Sequence, residues 1–119
     1  MSKLILVAGP WRSGTHGDET LMRQNLARLE QAALALFERG HVPVIGEWLA
    51  LPLSRTAGSE KPGDALSERF LYPVAHRLVA KCDAVLRLPG ASGGADRDVE
   101  IARKHGLTIY FSLDEVPQA

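Results

Sequence analysis

The stretch KLILVA, residues 3–8, is a continuous apolar run that stops at Gly9-Pro10. A run without polar alternation is typical of a strand buried on both faces, and such strands belong to parallel sheets. Further short apolar segments predict three more strands, at His41–Ile45, Ala84–Leu88 and Leu107–Phe111. The sequence therefore predicts a parallel sheet built around its first strand.

Helices are predicted between these strands. The first, over Glu19–Arg39, carries one apolar stripe whose members step by three or four residues: Met22, Leu26, Leu29, Ala33 and Leu36. Two more are predicted over Asp64–Lys81, with Pro73 as a kink or break, and over Ala95–His105. The stretch Leu49–Gly63 is rich in Pro and Gly and is predicted to be a loop. Strands alternating with helices form an α/β fold with right-handed crossovers and helices on both faces of the sheet.

Composition narrows the class of protein. The chain of 119 residues fits one domain, residues 1–119, and its 45% hydrophobic and 24% charged residues are normal for a globular protein. Lys plus Arg equals Asp plus Glu at 14 each, so no global field favours nucleic acid or an anionic membrane as a partner. No apolar run reaches membrane length, no signal-peptide pattern is present, and Cys82 has no partner for a disulfide. We expect a cytoplasmic protein.

The carboxyl ends of the strands are the expected location of a binding site. In open parallel sheets, ligands bind beyond these ends, where the strand order reverses. The segments that leave the first three strands are Gly9–Gly17, Gly46–Trp48 and Pro89–Asp98. We expect them to meet at one edge of the sheet.

The first of these segments begins AGPWRSG, residues 8–14. Glycine beside a strand end lets backbone N–H groups approach a ligand, Trp11 suits stacking on a flat ring, and Arg12 suits a phosphate. An ordinary strand-to-helix loop would need the same Gly and Pro residues. The segment is not a nucleotide-hydrolase phosphate loop, because no Gly-Lys-Ser/Thr follows.

The third segment, PGASGGADRDVE, covers residues 89–100. Ser92 is placed to cap the following helix or to bind an anion at its positive end. Acids in the first turns of a helix stabilise its dipole, which accounts well for Asp96. Asp98, however, lies at the border of the apolar helix face, whereas Glu100 shares another face with Asp96. A carboxylate at a cleft border can serve as nucleophile or general base.

Other polar residues are less informative. Glu47, after the second strand, suits binding of hydroxyl groups or is a solvated loop acid. The four histidines show no metal-ligand spacing with one another or with Cys82, so we expect no metal site and no other cofactor.

Taken together, the segments resemble the nucleoside 2-deoxyribosyltransferase superfamily, in particular its short bacterial and phage deoxyribosyltransferase-like proteins. The matching features run nearly the length of the chain in order: AGP with Gly14, Asn25, Gly40-His41, Cys82-Asp83-Ala84, Leu88-Pro89-Gly90, Ser92-x-Gly94-Ala95 and Gly106.

This resemblance implies a flavodoxin-like (Rossmann-like) three-layer sandwich with four to five parallel strands and a homo-oligomer, dimer or tetramer. It also implies that a carboxylate of the last helix attacks the anomeric carbon of a nucleoside or nucleotide, as in retaining glycosidases. The nucleophile position falls on Asp98, where the family has the longer Glu. A second acid of the family is replaced by Ala75, beside His76.

The leading hypothesis is therefore cleavage or base exchange at the N-glycosidic bond of a nucleoside or nucleotide. Asp98 is the predicted nucleophile and Glu100 its alternative. The predicted substrate-binding residues are Gly9, Pro10, Trp11, Arg12, Gly14, Glu47, Ser92 and Gly94. A second hypothesis is a nucleotide-binding sensor or regulatory module without catalysis. A third, a carrier resembling the cytokinin-activating and lysine-decarboxylase-like group, is weaker because the Pro-Gly-Gly-x-Gly-Thr pattern is absent.

Overall fold

The structure, a computed structural model, describes residues 1–119. It contains four strands in the chain order β1 (Leu4–Ala8), β2 (Val42–Val44), β3 (Ala84–Arg87) and β4 (Thr108–Tyr110). The helices are α1 (Glu19–Glu38), α2 (Gly46–Thr56), α3 (Ala65–Val79) and α4 (Gly93–Lys104), and a single 3-10 turn covers Leu113–Glu115. None of the helices combines the length and apolar character that a bilayer span requires.

The sheet confirms the predicted fold class. Its strand order is β2-β1-β3-β4 and every pair is parallel, with β1 hydrogen-bonded on both sides. Side chains of β1 alternate between two cores: Ile5 and Val7 pack with α1, whereas Leu6 and Ala8 pack with α3 and α4. The molecule is a three-layer α/β sandwich of the flavodoxin-like type, and all four predicted strands are present.

Helix α1 begins where the sequence predicts. The Asp18 side chain caps it by accepting from the backbone N–H groups of Thr20 and Leu21. Its stripe faces the sheet, with Leu29 and Leu36 almost fully buried. Burial of this face, more than helix propensity, holds the helix in place.

The predicted loop Leu49–Gly63 is wrong in its first half, because residues 46–56 form α2. Pro52 lies inside this helix but on its exposed side, where water can solvate the carbonyl that loses its partner. Ala50 and Ser54, one turn apart, are buried and hold α2 against the body of the protein. Likewise, Pro73 does not break α3, which is continuous from Ala65 to Val79.

The rest of that segment, residues 57–63, is irregular, and the side chain of the next residue, Asp64, hydrogen-bonds to it. Asp64 accepts hydrogen bonds from the Ser59 hydroxyl and from the backbone N–H groups of Glu60 and Ser67. These bonds lower the pKa of Asp64 to about 2. The segment is thereby hydrogen-bonded to the start of α3, and its irregular backbone agrees with the predicted loop.

We predict that Leu36→Ala lowers the free energy of unfolding by about 2–5 kcal/mol, because the substitution opens a cavity between α1 and the sheet. Leu34→Ala is the matched control on the same helix, since Leu34 is 59% exposed while Leu36 is 0% exposed. The control is expected to change stability by no more than about 0.5 kcal/mol. Urea denaturation measures both values, and equal losses in the two variants would contradict this packing.

Candidate functional site

The topology creates a crevice at the carboxyl ends of β1 and β3. The chain leaves β1 toward β2 on one side of the sheet and leaves β3 toward β4 on the other. The two connections therefore diverge between adjacent strands, which is the switch point where ligands bind in such folds. A cleft of about 110 Å³ lies at this place and is open to solvent on one side.

The cleft brings together residues from all three segments expected to meet there. Among the predicted site residues, those that line it are Gly9, Trp11, Arg12, Glu47, Ser92, Gly94 and Asp98. The β1 loop, the start of α2 and the start of α4 thus share one cavity. Helix α3 closes its remaining side.

Asp98 is the most unusual group in the cleft. It is only 7% exposed, and its Oδ1 atom is buried without a hydrogen-bond partner. Burial and the nearby Glu47 carboxyl raise the pKa of Asp98 to about 7, although Arg87 acts in the opposite direction. A buried carboxyl with an unpartnered oxygen at a cavity wall is suited to contact a bound molecule.

Glu47 enters the same cleft from α2. Sequence reasoning places it in a loop after β2, but it lies in the first turn of a helix, partly buried. Burial raises the pKa of Glu47, so this group also favours its neutral form more than a solvated acid does. Helices α2 and α3 are in contact at this point, since a Cβ at Gly46 would lie 3.5 Å from the Ala75 Cβ.

The β1 loop is held in place by contacts with α1 and α3. The Trp11 carbonyl accepts a 2.8 Å hydrogen bond from Asn25 Nδ2, and the Trp11 side chain is 5% exposed. Trp11 therefore forms a wall of the cleft and offers little ring face for stacking. Arg12 forms an ion pair with Glu68 of α3, and both side chains are partly open to water.

The start of α4 borders the cleft with backbone groups. Ser92 Oγ caps the helix by accepting from the Ala95 N–H at 3.1 Å. Gly93 has open space around it, because a Cβ there would meet no atom within 4 Å. The free N–H groups of this first turn, together with the helix dipole, favour an anion.

Three predicted site residues lie outside the cleft. Pro10 instead packs on the β3 loop, where a Cβ at Gly90 would lie 2.7 Å from Pro10 Cγ. Gly14 adopts a left-handed turn with φ 75°, exposed and away from the cavity. Glu100 is exposed on the outer side of α4, because it is two residues from Asp98 and so faces away.

Sequence reasoning missed the contribution of α3. Its side chains at helical spacing Glu68, Leu71, Tyr72 and Ala75 form one wall of the cleft. That i, i+3, i+4, i+7 spacing is a signal that was available in the sequence. Tyr72 is 50% exposed and lies over Gly94, where a Cβ would be 3.2 Å from Tyr72 Cε1.

His76 lies one turn beyond Tyr72 and does not line the cleft. Together with Arg97, it lines a shallow recess beside the cleft. Burial and the charge of Arg97 lower the pKa of His76. No three His, Cys, Asp or Glu side chains are grouped so as to hold a metal ion.

Comparison of the chain with models of known protein families and with curated proteins gives no match. The class of protein is therefore defined by fold and site alone. It is a small doubly wound α/β protein with a two-carboxyl cleft at the switch point of its sheet.

We predict that Asp98→Asn flattens the pH dependence of stability. The pKa of Asp98 is about 7 in the folded protein against 3.8 as the ordinary value. The folded state thus binds the proton more tightly, so stability is lost as the pH rises between these values. The wild type should lose up to about 4 kcal/mol from this group between about pH 4 and pH 8.

Urea denaturation across this pH range measures the effect. Glu100→Gln, exposed on the same helix, is the control and should follow the wild-type curve. Asp98→Asn should be the more stable protein above neutral pH. Parallel curves for all three proteins would show that Asp98 carries no unusual proton affinity.

Proposed function

We propose that the protein cleaves or exchanges the N-glycosidic bond of a nucleoside or nucleotide, with Asp98 as the nucleophile. The observation that carries the proposal is the Asp98 carboxyl, which belongs to a residue lining the switch-point cleft and whose buried Oδ1 has no hydrogen-bond partner. The resemblance to nucleoside 2-deoxyribosyltransferase-like proteins supports the same chemistry and implies a homo-oligomer. Glu100 is no longer the alternative nucleophile, because it is exposed outside the cleft.

In this mechanism the ionised Asp98 attacks the anomeric carbon of the sugar, and the base leaves. Water or a second base then attacks the same carbon and releases the carboxylate. A pKa of about 7 leaves a large part of Asp98 ionised at neutral pH. Desolvation also makes the ionised form less stable, and therefore more reactive, than an acid in water.

The surroundings of Asp98 suit the rest of such a substrate. The half-exposed ring of Tyr72 offers a face for a base, since base–aromatic stacking contributes about 1–3 kcal/mol. Ser92 and the backbone at Gly93 and Gly94 offer donors to a ribose or phosphate. Arg12 stands at the same cavity with a positive charge for a 5′-phosphate.

We predict that Asp98→Ala lowers kcat by at least about 1,000-fold, because the covalent route needs the Asp98 carboxylate as nucleophile. Incubation with a panel of nucleosides and nucleoside 5′-monophosphates, with chromatography of the released base, measures it. Glu100→Ala should retain turnover within about twofold, since surface changes of this kind are usually neutral. A 2-fluoro sugar analogue should leave one sugar on the wild-type chain and none on Asp98→Ala. Full turnover in Asp98→Ala would refute the nucleophile assignment.

We predict that Arg12→Ala raises KM for a nucleoside 5′-monophosphate about 10-fold or more, because a hydrogen bond to a charged group contributes about 1.5–3 kcal/mol. KM for the matching nucleoside should change little. Arg23→Ala is the control, since Arg23 is exposed on α1 and bonds only to Thr20 nearby. Equal changes in KM for the two substrates would contradict a phosphate role for Arg12.

The second candidate function is a nucleotide sensor without catalysis. It is favoured by the side chain of Asp98, which is one methylene shorter than the Glu of the resembled family and so reaches less far toward a sugar. A thermal-shift screen of nucleotides, followed by product analysis of each ligand that stabilises the protein, separates the two functions. Stabilisation with no released base would favour the sensor.

A further inference from the structure

We infer that Arg87 is a positioning residue of this site: its guanidinium holds the turn between β3 and α4 in the conformation that presents Asp98 and the first turn of α4 to the cleft. Arg87 does not line the cleft, so it acts through the groups that it holds. This inference rests on the proposed function and adds to it a residue outside the cleft lining.

The hydrogen bonds of one guanidinium are the first support. Nη1 of Arg87 donates to the Leu88 carbonyl, and Nη2 donates to the Gly90 carbonyl at 3.0 Å and to Asp96 Oδ1 at 2.8 Å. The two carbonyls belong to the turn, whereas Asp96 lies in the first turn of α4. The guanidinium therefore joins the turn to the start of the helix.

The turn has few other hydrogen bonds to hold it. No main-chain to main-chain hydrogen bond involves residues 89–91, and Gly90 adopts φ 116°, which suits glycine. The turn also packs on the β1 loop, where a Cβ at Gly90 would lie 2.7 Å from Pro10 Cγ. It thus lies between the β1 loop and the start of α4, both of which border the cleft.

The charge of Arg87 is the second support. Its side chain is 10% exposed, and its acidic partner Asp96 is 68% exposed. Burying a cation is unfavourable, and a neutral Asn or Ser donor is enough to bond a turn carbonyl. The positive charge has a further effect, because Arg87 acts to lower the pKa of Asp98 and so favours the ionised nucleophile.

Titratable and charged groups approach Asp98 from every element at the cleft: Arg12 of the β1 loop, Glu47 of α2, Glu68 and Tyr72 of α3, Cys82 before β3, and Arg87 of β3. On its own helix, Asp96 is bonded to Arg87. Arg12 is paired with Glu68. Arg87 is the cation whose charge opposes the effects of burial and of Glu47 on Asp98.

Two substitutions separate the charge of Arg87 from its planar set of donors. Arg87→Lys keeps the positive charge but has a single ammonium group, whereas Arg87→Met keeps an apolar stem and loses both. Arg103→Met is the control, because Arg103 is exposed in the last turn of α4. Arg87→Gln serves as the neutral variant if Arg87→Met does not fold.

The kinetics of base release from a nucleoside 5′-monophosphate test both effects. At about pH 9, where Asp98 is ionised in every protein, kcat should fall about 10-fold or more in both Arg87 variants, because the turn is no longer held. The acid-side midpoint of kcat/KM should rise by about one pH unit in Arg87→Met and stay unchanged in Arg87→Lys, because loss of a cation favours the protonated carboxyl. Arg103→Met should match the wild type in both measurements.

Amide hydrogen exchange without substrate gives a readout that does not depend on the reaction. Residues 90–95 should exchange at least about fivefold faster in both Arg87 variants than in the wild type. Wild-type exchange and kcat in Arg87→Lys would overturn the positioning role, and an unchanged acid-side midpoint in Arg87→Met would overturn the role of the charge. No base release by the wild type would overturn the proposed function, whereas the exchange rates would still decide whether Arg87 holds the turn.

Discussion

The parallel pairing of β1 with both β2 and β3 is the constraint on which the remaining structure depends. The connection from β1 to β2 runs toward one edge of the sheet, and the connection from β3 to β4 runs toward the other. Because such connections are right-handed, α1 covers one face of the sheet, and α3 and α4 cover the opposite face. The ends of β1 and β3 are then left without a crossing chain above them. The cleft is thus a consequence of strand order, and the loops supply its chemistry.

The carboxyls of Asp98, which is buried, and Glu47, which is partly buried, are the main electrostatic feature of that cleft. Taking a carboxylate out of water is unfavourable, and a second carboxyl nearby makes it more so. Arg87 compensates only in part, since its guanidinium also donates to Asp96 and to the Gly90 carbonyl. A fold that keeps such a pair loses some stability near neutral pH, in a cleft suited to bind a ligand.

Much of the fold could be predicted from local patterns because those patterns are strong where burial is complete. The run at residues 3–8 and the stripe of α1 each reflect a face that is almost fully buried. The failures lie where burial is partial: Pro52 and Pro73 suggested breaks, yet both point to solvent, where a missing hydrogen bond is replaced by water. Helix α2 was missed for that reason, and with it the true position of Glu47.

The site shows the same division between local and non-local information. Asp98 could be placed at a cleft border because its own helix face records the burial of its neighbours, including Val99 and Ala102. The nearby carboxyl of Glu47 could not be placed this way, since it lies on α2, a helix that the local pattern did not predict. An alanine where an acid was expected looks like a loss of function in the sequence. In three dimensions that alanine, Ala75, lines the cleft together with Asp98 and with Glu47 of another helix, so carboxyls are present in the cleft although that position lacks one.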